Sequence, residues 1–140
     1  MNNVYINDIS KSQGRLFAYA AKKEYDMEIF SDIFMNSELG NLEMDSEYYA
    51  YNSSDGMELE SFLNEELPNG FIMPKTNHPD SLSQDVEVAK WIGYMYRYLA
   101  CTKHIPTKQI FAKLPYQRMV QLWIGGHTLP NEEALALFDI

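Results

Sequence analysis

Three histidines and one cysteine are the side chains of this 140-residue chain whose ordinary proton affinities lie nearest neutral pH. His127 is the first to consider. It follows the paired glycines of "WIGGHT", residues 123–128, in a segment that reads as a loop, where functional side chains concentrate. An imidazole there suits general-base work, yet no serine or cysteine nucleophile is tied to it in sequence. Cys101 and His104 stand three apart near the end of one helical run, the spacing of a thiolate–imidazole pair on a shared face. His78, His104 and His127 have no metal-ligand spacing, and a single cysteine removes the usual zinc patterns. The acids lack the regular spacing of a calcium loop, and no G-x-x-x-x-G-K phosphate loop occurs. Arg97 lies in "YMYRYL", on a largely apolar helix, where an arginine pairs with a carboxylate, stacks on tyrosine or binds an anion. Arg97 and His127 are therefore the pocket candidates, and no catalytic residue, metal or cofactor is assigned.

The charges say more. The net charge is −9, and its layout is uneven. Between Glu24 and Pro74 there are thirteen acids and no Lys or Arg. Such a field repels nucleic-acid backbones and attracts basic surfaces. The acids Glu38, Glu43, Asp45, Glu47, Asp55, Glu58 and Glu66 then read as a docking face, with Tyr48, Tyr49 and Tyr51 as aromatic anchors. The partner this calls for is a protein with a basic surface. Lys108, Lys113 and Arg118 in "IPTKQIFAKLPYQRMVQLW" suggest a helix-turn-helix outline, but the prolines, short helices and acidic balance stand against it.

These residues must be carried by helices, because the apolar spacing is 3.6-like nearly throughout. Residues 11–24 place Leu16, Phe17, Ala20 and Ala21 on one face, with Ser10 or Ser12 as a cap. Met27, Phe30, Phe34 and Met35 form the next stripe, and Gly40 ends or bends it. Residues 45–56 read as a tyrosine-rich turn, with Asp55-Gly56 as its turn dipeptide. Residues 57–67 read as a short acidic helix with Leu59, Phe62 and Leu63 inward, and 68–80 as a loop pinned by Phe71, Ile72 and Met73. Ser81 with Gln84 reads as a capping box for a long central helix over 82–103. Gly93 inside it calls for close approach of a neighbouring helix. Two short helices follow, led by Pro106 or Thr107 and by Pro115. Gly125 or Gly126 suits a left-handed helix end, and Thr128 with Pro130 a new start, so "GGHT" is explained as punctuation without a ligand. The expectation is one all-α domain over 1–140, a compact bundle of five to seven helices with the 82–103 helix central.

The stretch "NDISKSQGRLFAYAAKKEYDMEIFSDIFMNSELGNLEMD" resembles the opening of a family of small all-helical proteins of gut and other Gram-positive bacteria. The stretch "YRYLACTKHIPTKQIFAKLP", with "GGHT" after it, is similar to a second, shorter all-helical family. Members of the latter sit beside ADP-ribosyltransferase-type toxins, as antitoxins or accessory proteins. The resemblance implies no catalytic motif and a protein partner.

The composition agrees with an intracellular protein: one cysteine precludes an intrachain disulfide, the N-terminus lacks the apolar run of a signal peptide, and no stretch suits a membrane span. The reading is a cytoplasmic, non-enzymatic protein-binding module, with no nucleic acid and no membrane as partner. Its alternatives are a small enzyme using His127 with a carboxylate, and an acidic mimic of nucleic acid.

Overall fold

In the computed structural model the described residues are 3–44, 51 and 54–140. They form an all-α architecture, and among them the one β-type pairing is an isolated bridge between Tyr25 and Lys75.

The fold is organised by two long helices, α1 (Asn3–Lys22) and α4 (Val86–Lys103). Both carry a glycine where they meet. A Cβ on Gly93 would stand 2.7 Å from Cγ of Phe17 and 2.8 Å from the carbonyl oxygen of Gln13. A Cβ on Gly14 would stand 3.0 Å from the carbonyl oxygen of Lys90. The close approach expected of Gly93 is therefore present, and α1 is its partner. Gly14 reciprocates it.

The start of α1 differs from expectation. Ser10 and Ser12 are not caps: both are buried inside the helix, and the Ser12 hydroxyl donates to the Asp8 carbonyl at 3.2 Å. The apolar stripe extends upstream through Ile6 and Ile9, both buried, so packing carries the helix back toward Asn3. At its other end, the amides of Glu24 and Tyr25 return to the carbonyls of Ala21 and Ala20, a Schellman closure with Glu24 at φ 60° in the position glycine favours.

Asp26 caps α2 (Met27–Met35), accepting from the amides of Glu28 and Ile29. A π-helical turn over Leu39–Glu43 follows. The expected turn at 45–56 lies largely outside the described residues. Its dipeptide opens α3 (Gly56–Asn64), where Asp55 and Glu58 make a reciprocal capping box.

The loop after α3 is tied down differently from expectation. Met73 is buried, but Phe71 is 41% and Ile72 84% exposed, so these two do not pin it. Its anchor is backbone: Asp26 N–H donates to the Pro74 carbonyl and Thr76 N–H to the Glu24 carbonyl, both at 2.9 Å. Gln84, buried, completes the tie, donating to the Tyr25 carbonyl at 2.7 Å and accepting from Met27 N–H at 3.0 Å. Ser81 and Gln84 thus form no capping box. Leu82–Gln84 is a 3₁₀ turn, and Asp85 caps α4, its carboxylate accepting from Glu87 and Val88. An aspartate directly before the helix does the capping and frees the glutamine for a buried site.

Helices α5 (Thr107–Lys113), α6 (Tyr116–Gly126) and α7 (Asn131–Ala134) follow, with a final 3₁₀ turn at Leu135–Leu137. Neither Gly125 nor Gly126 is left-handed: α6 runs through both and ends at His127, φ −69°. Pro130, not Thr128, stands at the cap of α7.

The core centres on Phe17, whose ring lies 5.6 Å from Phe30, 5.8 Å from Phe34, 6.1 Å from Tyr96 and 6.4 Å from Tyr116. Two of these rings bring hydroxyls inside. Tyr96 donates to the Leu114 carbonyl at 2.7 Å and Tyr116 to the Ser83 carbonyl at 3.2 Å. Burial pushes both phenols well above their usual range, with Tyr116 adding to the effect on Tyr96 and Asp85 to that on Tyr116. A raised folded-state value favours the neutral phenol, so this stabilisation is complete below pH ~10, where unfolded tyrosines stay protonated, and is lost as pH rises above it. The urea midpoint is expected to hold up to pH ~10 and then fall, each buried phenol contributing about 1.4 kcal/mol per pH unit. Tyr116→Phe should lower that alkaline slope by one tyrosine's share. An unchanged slope would exclude Tyr116 as a source.

Candidate partner-binding surface

Helix α3 buries Gly56, Leu59 and Leu63 against α1 and turns Met57, Glu58, Ser61 and Phe62 outward. Phe62, expected inside, is 40% exposed, and Met57 is 63% exposed. Phe62 lies one helical step off the Leu59–Leu63 line and so sits at the edge of the buried stripe. Met57 falls on the face opposite Leu59, as the 100° helical step requires. Tyr51, half-buried, meets the Phe62 ring edge-on at 5.7 Å. Met57, Phe62 and Tyr51 thus supply an apolar patch beside Glu58 and Ser61.

Several of the candidate acids also build the fold. Glu66 receives the amides of Glu38 at 2.7 Å and Leu39 at 2.8 Å, one on each carboxylate oxygen, and so fastens the end of α3 to the start of the π turn. Asp55 receives the Glu58 amide at 2.8 Å, and Glu58 receives that of Asp55 at 3.3 Å. A carboxylate that accepts backbone amides at a helix start faces the positive end of the helix dipole. Glu38, Asp55, Glu58, Glu65 and Glu66 are all exposed. Among the described residues the ion pair within 4 Å joins Lys23 to Glu60 at 3.4 Å, and none of these five acids forms one. The structure therefore brings Glu38 and Glu66 together, Asp55 and Glu58 together, and Glu58 and Tyr51 beside Phe62. Asp45, Glu47, Tyr48 and Tyr49 lie outside the described residues, as does the side chain of Glu43.

Arg97 and His127 do not share a pocket. Arg97 is fully buried, its Nε donating to Gln13 Oε1 at 2.8 Å and its guanidinium NH2 to the Gly40 carbonyl at 2.9 Å. Gln13 in turn donates to the Gly93 carbonyl at 3.0 Å. The guanidinium is a strut joining α1, α4 and the π turn, out of reach of an anion in solvent. His127 is exposed at the end of α6. Its ring stacks on Trp123 at 3.8 Å, and its Nδ1 lies 2.6 Å from the Trp123 carbonyl. A carbonyl only accepts, so Nδ1 is the donor of this contact and Nε2 is the nitrogen a base would use. The residues lining the groove beside it include no serine, threonine or cysteine for such a base to activate. Cys101 is buried while His104 is exposed, with φ 54°, so the helix end turns them to different environments.

Among the described residues no group of three His, Cys, Asp or Glu is placed to hold a metal ion, and no helix is long and apolar enough to cross a membrane. No protein-family model matches the chain, and no curated protein or solved structure is significantly similar to it.

Sequence reading located the acids but missed Met57 and Phe62 as exposed apolar residues. The helical wheel of "MELESFLNEEL" held the signal for Met57, which sits between acids on the outward face.

Proposed function

We propose that the chain is a protein-binding module that covers a basic surface of its partner with the outward face of α3 and the adjoining π turn. The observation that carries this reading is the pairing of two exposed apolar side chains, Met57 and Phe62, with exposed acids that form no ion pair within 4 Å among the described residues. Apolar anchors inside a charged surround are the anatomy of a protein interface. The acids give steering and partner choice, and the anchors give slow release. The resemblance of the C-terminal stretch to accessory proteins of toxin loci supports an antitoxin or accessory role, in which binding alone is the activity, in the cytoplasm of a bacterium.

The test is co-expression of the tagged chain with the products of its neighbouring genes, followed by affinity measurement on the retained protein. One stoichiometric basic partner is expected, with affinity falling at least tenfold between about 50 and 500 mM salt because exposed charges are screened. Glu38→Lys with Glu65→Lys leaves the carboxylate caps of Asp55, Glu58 and Glu66 in place and should weaken binding by a further factor of about ten. Phe62→Ala should speed dissociation without changing the salt slope. Binding indifferent to salt and to both charge reversals would remove this surface from the interface.

A further inference from the structure

The chain has two tryptophans, and both line one open groove of about 510 Å³ bounded by α1, α4, α6 and α7. That volume falls in the range of small-molecule sites. The groove shares no lining residue with the α3 patch of the proposed partner surface, and what it offers a ligand follows from how its walls are held.

Trp91, on α4, stacks on Phe138 with centroids 6.1 Å apart. Its edge lies against Gly126, where an added Cβ would stand 3.0 Å from Cζ2 of Trp91 and 3.0 Å from Cδ1 of Leu137. The second glycine of "WIGGHT" is thus the space that seats Trp91. Gly125, by contrast, faces open space. Trp123 is held by the His127 ring stacked on it. Tyr94, also in the lining, donates its hydroxyl to Asn7 Oδ1 and accepts from Asn131 Nδ2 at 3.0 Å. The aromatic walls are therefore fixed before any ligand arrives, which lowers the ordering cost of binding.

Lys11 from α1 and Lys90 from α4 also line the groove; both are exposed, and neither has an ion pair among the described residues. Glu87 is the acid of the lining. The groove thus has a local excess of positive charge on a chain of net charge −9. This balance selects among the ligands that stack on indole. An aromatic cage for a quaternary ammonium ion excludes other cations from its walls, and two ammonium groups here oppose one. A nucleic-acid strand would carry its phosphates out of the groove into the acidic field of the whole chain. A small ring with one acidic group meets neither penalty.

We propose that this groove binds a small planar aromatic anion, a ring bearing a carboxylate or a phosphate, stacked on the indoles and neutralised by Lys11 and Lys90. Because both tryptophans line the groove, their emission reports its occupancy directly. Full-length protein is titrated with adenosine 5′-monophosphate as the phosphate probe and benzoate as the carboxylate probe. Adenosine and benzamide serve as neutral analogues, and tetramethylammonium as the cation. Saturable quenching is expected from at least one anion, with its neutral analogue at least about fivefold weaker, and which anion binds identifies the source of the acidic group. Lys11→Gln with Lys90→Gln should weaken that binding about fivefold, while the emission of the free protein and its urea midpoint stay unchanged. No saturable quenching below about 10 mM by either anion would overturn the proposal. So would equal binding of the neutral analogue, an unaffected double variant, or preference for tetramethylammonium. None of these readouts depends on a protein partner, so failure here leaves the α3 surface to its own test.

Discussion

Gly93→Ala is expected to destabilise the protein by about 2 kcal/mol, although alanine is the better helix former by roughly 1 kcal/mol. The two effects are separable. Intrinsic propensity acts on α4 alone and favours alanine. Packing acts between α4 and α1 and opposes it, because the new methyl would stand 2.7 Å from Cγ of Phe17 and 2.8 Å from both Cβ of Phe17 and the carbonyl oxygen of Gln13. Overfilling a well-packed contact costs typically 1–3 kcal/mol, and this contact is at the upper end because one of the obstructing atoms is backbone. Phe17 cannot swing away either, since it is fully buried among Phe30, Phe34, Tyr96 and Tyr116. The helices must therefore separate, which loosens the contact that organises the molecule. Urea unfolding should show a lower midpoint, and thermal unfolding a Tm lower by about 7 °C. Phe17→Leu in the same chain should rescue only part of the loss, because the Gln13 carbonyl remains. A stabilised Gly93→Ala protein would mean that α1 and α4 do not approach as described.

How much of this was legible in the sequence differs from element to element. The all-α class and the stripes of α2 and α4 followed from 3.6-residue spacing, because a helix that buries one face must repeat at that period. Helix starts were less legible. "SLSQD" contains both a capping-box pattern and a better cap one residue later, and only the burial of Gln84 against Tyr25 and Met27 decides between them. Ser10 and Ser12 look like caps because serine favours helix starts, yet Ile6 and Ile9 extend the buried stripe past them. The acidic surface was legible as a run without Lys or Arg. Its apolar anchors were less so, because Phe62 lies one step from Leu63 and exposure there is set by tertiary contact. The aromatic groove was hidden for a related reason. Trp91 recurs with Val88 and Met95 at helical spacing, and the wall of a groove repeats with the same period as the core beneath it. The glycine pair reads as a helix end, and α6 does end there, but Gly126 is required by a tryptophan 35 positions away in sequence rather than by a left-handed turn.

Arg97→Met is expected to cost about 4 kcal/mol, despite similar side-chain volume. Methionine fills much of the space, so the cost is not mainly a cavity. It arises because the acceptors stay behind. Gln13 Oε1 and the Gly40 carbonyl lose donors at 2.8 and 2.9 Å, and both bonds are charge-assisted in a site closed to water. Each unsatisfied buried acceptor costs about 1–3 kcal/mol, so two cost about 2–6 kcal/mol, and the desolvation relieved by removing the charge offsets only part of this. Two companion variants separate these terms. Arg97→Lys keeps the charge but not the planar fork, and should recover only part of the loss. Gln13→Leu with Arg97→Met removes one orphaned acceptor but also the Gln13 bond to the Gly93 carbonyl, so it should recover no more than about 1 kcal/mol. The local effect should exceed the global one at the π turn, since Arg97 fastens Gly40 from inside while Glu66 fastens Glu38 and Leu39 from outside. Hydrogen exchange of the amides in 39–43 should therefore accelerate more than that of α4 itself. Because Glu38 and Glu66 belong to the proposed partner surface, the same variant should weaken partner binding without altering any residue of that surface. Uniform acceleration across α1, α4 and the turn would instead show that Arg97 supports the core as a whole and holds no special grip on the acidic face.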